Sequence, residues 1–385
     1  MPPDQADGLK DSLDDMGLGY TVLSRDVQKI IAFQNPPRAA GRVNRVRRKG
    51  HPYTWKRYHR YEDMTSYMFY LASAYPQNAQ VITIGSTSEG RPLFVLKVFS
   101  NDELQPRSRN ATTTRAKRAK RASYHKPAIW VDAGSHAREW IGPAVAMYLC
   151  MQLVERFLDH PHLVTDADWY ILPVLNPDGY EYSHTVDRLW RKTRSTPELA
   201  TGRLFSPRSP CDGVDLNRNW DFNWGDRKGA ADDPCKQTYA GPRPFSEPEA
   251  RAAADFILGR KERIQVFLTF HSYSQMFLLP EDASFRRLPD HQELYNKALI
   301  AARAIGRVRG TRYQIGTASE LLYTISGSSD SWAKSVAGIK YSYTMELPDR
   351  GRYGFLLPAS LIKPTAKETF IGVKELVQAI VCRPY

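Results

Sequence analysis

From Tyr61 to Val381 the chain alternates short runs of β-branched and aromatic residues with longer stretches of helical spacing. Few architectures accept that order. The short runs are Val81–Ile84, Leu93–Phe99, Ala128–Asp132, Trp169–Val174, Val266–Phe270 and Lys340–Met345. They are poor in charge and bounded by turn residues, as buried strands are. Helical spacing marks Tyr61–Tyr75, Gly142–Leu158 with Pro143 in its first turn, Glu247–Leu258 opened by Ser246 and Pro248, and Pro364–Val381. Asn176-Pro177-Asp178-Gly179 reads as a turn. This order predicts an α/β fold, a mixed, mostly parallel twisted sheet with helices on both faces. Ligands of such folds bind beyond the strand ends, so chemistry is to be sought in the residues that follow the strands.

Composition excludes several classes. With 385 residues, 42% hydrophobic and 25% charged, the chain can bury a large core. No run approaches the roughly 20 apolar residues of a membrane-spanning helix. The first twenty residues are polar and acidic and lack the apolar heart of a signal peptide, which taken literally predicts a cytosolic start. Residues 1–48 hold a helix-like piece (LKDSLDDMG), a strand-like piece (GYTVLS) and a second helix-like piece (DVQKIIAFQ). That is too little for a core of its own. They end at Arg45-Val46-Arg47-Arg48, a site that dibasic processing proteases cut. Much of the net charge of +13 lies in residues 38–60 and 107–126, which lack periodicity and read as exposed loops. The second run has almost no aromatic residues for base stacking, so a solvated or protease-sensitive loop is expected and no nucleic-acid partner.

The chemistry begins at GSHAREW, directly after the strand AIWVD. His136 and Glu139 there can converge on one ion, and His271 follows the strand VFLTF in the same way. Two imidazoles and a carboxylate suit zinc and leave a fourth tetrahedral position for water, as a catalytic site requires. His-x-x-Glu alone is a weak pattern, and strand-end polar residues are its plain alternative. Asp215, in GVDLNRNW, can orient His136 through a hydrogen bond. Glu346, closing the strand IKYSYTM, is placed to take a proton from an activated water. Cys150, in an apolar helical run, and Cys382 read as inert thiols.

Seven motifs in fixed order (HAREW, LNPDGY, RLWRKTRS, GVDLNRNW, FHSYSQ, GIKYSYTMEL and RYGFLLPAS) make the chain resemble the A/B-type zinc metallocarboxypeptidases of the pancreatic, digestive family. The resemblance runs from about Trp55 to the C-terminus and implies a peptidase acting on peptides and proteins with a free C-terminus. It implies one zinc on His136, Glu139 and His271, with Glu346 as general base and Arg191 as the group that stabilises the oxyanion. Asn217 and Arg218 match the clamp for the terminal carboxylate, which suits a guanidinium fork. Tyr323 matches the mobile tyrosine that closes over substrate. Arg138, Arg188, Ser272, Tyr273 and Phe355 match subsites further out.

Asp330 stands where the family places the base of the side-chain pocket. A carboxylate there favours C-terminal Lys or Arg, the B type, with apolar or aromatic C-termini, the A type, as the alternative. Asp282 matches a nearby wall position. Ile325 and Ser331 depart from residues common in the family. Cys211 and Cys235 match the family's disulfide, closing a loop of about 25 residues. With the acceptor Asn110-Ala111-Thr112, that disulfide implies a secreted protein, expected as a monomer. Residues 1–48 then resemble the last part of an inhibitory pro-segment, with its first half and the leader missing, before a catalytic domain over residues 49–385. A basic insertion at about 101–125 departs from the family. It is read as decoration, a nicking site or, through Arg115–Arg121, a polyanion contact.

Overall fold

The computed structural model describes residues 3–22, 26–35, 51–100, 126–196 and 211–381. The dibasic Arg45–Arg48 site, the basic insertion with Asn110 and Arg115–Arg121, and Cys382 lie outside the described residues. Helices α1 (Pro3–Asp15) and α2 (Val27–Gln34) precede α3 (Tyr61–Ala74) and the hairpin β1 (Ala79–Ser86) to β2 (Pro92–Val98). Then come β3 (Ala128–Ala133), α4 (Ile141–Val154), α5 (Pro161–Thr165), β4 (Asp168–Leu172), α6 (Pro177–Thr185) and α7 (Pro248–Leu258). The chain continues through β5 (Ile264–Ser272), β6 (Met276–Leu279), α8 (His291–Arg309), β7 (Gln314–Thr317), α9 (Ala318–Leu321), α10 (Ser329–Ser335), β8 (Tyr341–Leu347) and α11 (Ile362–Ile380).

Eight strands form one mixed sheet in the order β1-β2-β4-β3-β5-β8-β6-β7. Its centre, β4-β3-β5-β8, is parallel. Antiparallel pairs join β1 to β2, β2 to β4 and β8 to β6. Alternation along β3 builds two cores. Ile129, Val131 and Ala133 face α3, α4, α8 and α11, while Ala128 and Trp130 face α7 and α10. β5 repeats the pattern, with Val266, Leu268 and Phe270 on the first face and Phe267 on the second. Helices therefore cover both faces, as the α/β reading requires. No described helix is long and apolar enough to cross a membrane.

Three local expectations are corrected. Residues 19–22 of the strand-like piece GYTVLS form no strand, since they stand exposed with no neighbouring strand to pair with among the described residues. Asn176-Pro177-Asp178-Gly179 starts α6 rather than making a simple turn. The Asn176 side chain accepts the Gly179 N–H at 2.9 Å, and Pro177 takes the first helical position, where its missing N–H costs nothing. The helix expected to run to Leu158 ends at Val154, followed by a short 3₁₀ turn at Phe157–Asp159.

Candidate metal centre and cleft

Strand order places the site. β4 lies on one side of β3 and β5 on the other, so the order reverses at β3 and opens a crevice beyond the carboxyl ends of β3 and β5. His136 and Glu139 sit in the loop between β3 and α4, and His271 is near the end of β5. Glu346, on β8, lies directly beside His271 in the parallel ladder. Arg191 follows α6, and Asp215 caps the 3₁₀ turn Leu216–Arg218.

The three candidate ligands meet. His136 Nδ1 is 2.7 Å from Glu139 Oε1, and His271 Nδ1 is 3.1 Å both from Glu139 Oε2 and from His136 Nδ1. All three residues are buried. Among the described residues this is the group whose donor atoms could hold a metal ion, lying within 4.8 Å of one another. His136 Nε2 is 3.0 Å from Asp215 Oδ1, and a proton held there leaves the Nδ1 lone pair facing inward. His271 Nε2 has no hydrogen-bond partner among the described residues. Two neutral imidazoles and a carboxylate converging in this way fit zinc.

Electrostatics tie the set together. Burial pushes the Glu139 carboxyl up, but His136 and His271 outweigh it and hold it well below the usual range. Burial pulls His271 down, but Glu139 raises it to about 9. His136 is lowered, chiefly by burial and Arg191. Glu346 is pushed up to about 8 by burial and by Glu139, against His271 and Arg191. A divalent cation between them would favour the ionised form. Buried Asp215 receives Arg191 Nε and Nη2 at 3.0 and 2.8 Å, and Arg191, His136 and Arg218 hold its carboxyl far down despite burial.

A cleft of about 270 Å³ opens on this centre. It is lined by the three ligands and by Glu346, Arg191, Arg138, Asn217, Arg218, Ser272, Tyr273, Tyr323, Asp330 and Phe355. Arg218 donates to Gly229 O and Asn217 O, while its buried Nη2 has no hydrogen-bond partner among the described residues and is available to an anion. Tyr323 is 54% exposed at the rim, with its ring 6.0 Å from the Arg218 guanidinium. Asp330, in the first turn of α10, is buried, and among the described residues its carboxylate accepts its neighbour's N–H, from Ser331 at 2.8 Å. The loop before it is packed onto the Arg218 turn. Asn217 Oδ1 accepts the Ser329 N–H at 3.0 Å, and Gly327 has φ +65° where a Cβ would meet Arg218 O at 2.2 Å. Only glycine fits there.

Two named residues lie elsewhere. Arg188 does not line the cleft. Its guanidinium stacks 3.6 Å from Trp140 and donates to Gln34 Oε1, Arg138 O and Phe355 O. Asp282 is not a wall of the cleft, because its carboxylate caps a turn by accepting Ser284 N–H and Arg286 N–H and pairs with the Arg286 guanidinium. Its neighbour Glu281, unnamed in the sequence reading, lines the cleft instead. The Asp282-Ala283-Ser284 turn signal was the available clue. Cys211 and Cys235 form a disulfide, and Cys150 is free, buried and pushed above the usual thiol range by burial.

Residues 64–372 match the family described as zinc carboxypeptidase. The chain is 42% identical to carboxypeptidase B of Astacus astacus over 320 residues, covering 83% of this chain and 96% of the relative. It is 38% identical to carboxypeptidase A6 of Mus musculus over 360 residues, covering 93% of this chain and 74% of that one. Its fold matches the crystal structure of thrombin activatable fibrinolysis inhibitor with a TM-score of 0.82 at 33% identity, covering 99% of this chain and 87% of that one.

Proposed function

The chain belongs to the zinc carboxypeptidase family, C-terminal exopeptidases, and from that premise we propose that it releases C-terminal lysine and arginine. The observation that carries this reading is the polarity of the cleft. Arg218 offers an unpartnered guanidinium nitrogen, and Asp330 offers a buried carboxylate with no cationic partner among the described residues. A terminal Lys or Arg residue carries the matching charges, a carboxylate for the first and a cation for the second. An apolar side chain would leave Asp330 buried and unpaired.

His136, Glu139 and His271 would hold a zinc ion, which would supply Lewis acidity at the scissile carbonyl and the attacking water. Glu346 takes that water's proton and passes it to the departing amine nitrogen, so one carboxyl serves as base and then as acid. Arg191, held rigid by its two bonds to Asp215, faces the carbonyl oxygen as negative charge develops. Asn217 and Arg218 fix the terminal carboxylate, and Tyr323 closes the rim. Arg138, Ser272, Tyr273 and Phe355 contact residues upstream of the cleaved bond.

Residues 1–48 act as the end of an inhibitory pro-segment in this reading. In support, Gln34 of α2 is buried against the domain, donating to Phe355 O and Leu357 O and accepting from Arg188. The disulfide supports a secreted protein.

The test is hydrolysis of paired peptides ending in Arg, Lys, Phe or Leu, with and without chelator. Arg and Lys peptides are cleaved fastest, chelator abolishes all cleavage, and Asp330→Asn reduces the basic-over-apolar preference about a hundredfold. Phenylalanine preferred over arginine would move the reading to the A type.

A further inference from the structure

Glu281 sits at the end of the β6 segment, 5% exposed, and lines both the catalytic cleft and a smaller void beside it that Ile325, Ser328 and Ser331 also border. Its backbone N–H reaches Ser331 Oγ at 3.5 Å, so it borders the residue that follows Asp330. Its carboxylate accepts the Ser319 N–H at 3.2 Å and the Ser319 hydroxyl, which are neutral donors. The arginines nearest in sequence are committed elsewhere, Arg286 to Asp282 and Arg287 to Glu320. Burial raises the Glu281 carboxyl above its ordinary value, and Asp330 adds to the rise. Among the described residues, no Lys or Arg side chain pairs with either of the two buried carboxyls, Glu281 and Asp330.

We infer that Glu281 is a second recognition carboxylate of the side-chain pocket, and that the Glu281–Asp330 pair selects C-terminal arginine over lysine. This rests on the proposed preference for basic residues. A guanidinium presents five N–H donors in a rigid plane and can face two carboxylates from two edges, whereas an ammonium is a compact point charge that one carboxylate can satisfy. Removing the second carboxylate therefore costs the broad cation more than the compact one.

Glu281→Gln keeps an acceptor for Ser319, so its fold is expected to hold. Steady-state kinetics on peptides ending in Arg, Lys and Leu read the result. KM for the Arg peptide rises about tenfold with kcat within about twofold, and KM for Lys rises less than about threefold. Free arginine also inhibits the unaltered protein more tightly than free lysine, a readout that needs no variant. An unchanged Arg-to-Lys ratio, an equal loss on all three peptides, or lysine as the tighter inhibitor overturns the role of Glu281 while leaving Asp330 its own. A wild-type preference for Leu over both basic peptides overturns Glu281 and the basic-residue reading together.

Discussion

Glu346 stands beside His271 in the β5–β8 ladder, near the metal ligands yet bonded to none of them. That placement separates binding from chemistry. Glu346→Gln keeps the size and polarity of the side chain and leaves the three ligands untouched. The variant is expected to bind zinc stoichiometrically, with kcat lower by roughly a hundred- to ten-thousand-fold. Metal analysis together with single-turnover kinetics checks this, and a variant that loses its zinc would assign Glu346 to the metal instead. His136, Glu139, His271 and Glu346 were legible because they lie at or just beyond strand ends, whereas Arg191, Asn217, Arg218, Tyr323 and Asp330 sit on turns and helices and were legible only through the motifs they share with the family. Asp282 misled because composition marks a carboxylate but not the turn that consumes it. One residue earlier, Glu281 lines the cleft instead. Arg188 shows the same limit from the other side, since a motif position cannot reveal that Gln34, far away in sequence, holds its guanidinium.

At the scale of elements, the β1–β2 turn is tied to two helices by buried carboxyls. Asp178 of α6 accepts from the Thr87 and Ser88 hydroxyls, the Glu89 N–H and Arg91, while Glu249 of α7 accepts the Ser88 N–H at 3.1 Å. Glu249 is fully buried, its second oxygen has no partner among the described residues, and burial, then Glu247, lifts its pKa from 4.5 to about 8. The folded value lies above the unfolded one. The native chain thus keeps a proton that the unfolded chain releases, and the linked stability is full below pH 4.5 and lost as pH rises through about 8. The loss is on the order of a few kcal/mol. Urea unfolding across that window is expected to show stability falling with pH, and Glu249→Gln to flatten the fall. An identical slope in the variant would place the pH dependence elsewhere. The helices and strands with strong periodicity, such as α3, β3, β5 and α11, were readable from spacing. β6 and β7 were not, because four residues leave too little alternation to register. Their place comes from pairing with β8 and with each other, a long-range fact.

Across the whole molecule, the proposed zinc ligands join two neighbouring central strands, the loop after β3 and the end of β5, whose opposite faces carry both cores. The metal is therefore expected to stabilise the domain as well as to serve the chemistry. Binding to the folded chain alone adds roughly 4 kcal/mol when free zinc exceeds Kd about a thousandfold. At about 2 °C per kcal/mol for a large domain, stripping the metal should lower Tm by roughly 8 °C. Calorimetry with and without chelator measures the shift, and added zinc should restore Tm and activity in parallel. Glu139→Ala removes a ligand whose carboxylate also accepts the Ser272 N–H. This variant should start near the stripped Tm and respond little to chelator. A midpoint in the unaltered protein that ignores chelator while activity disappears would mean that β3 and β5 hold the site in shape unaided. The sheet, with its largely buried central strands, would then be the whole source of preorganisation, and the ion would contribute only its charge.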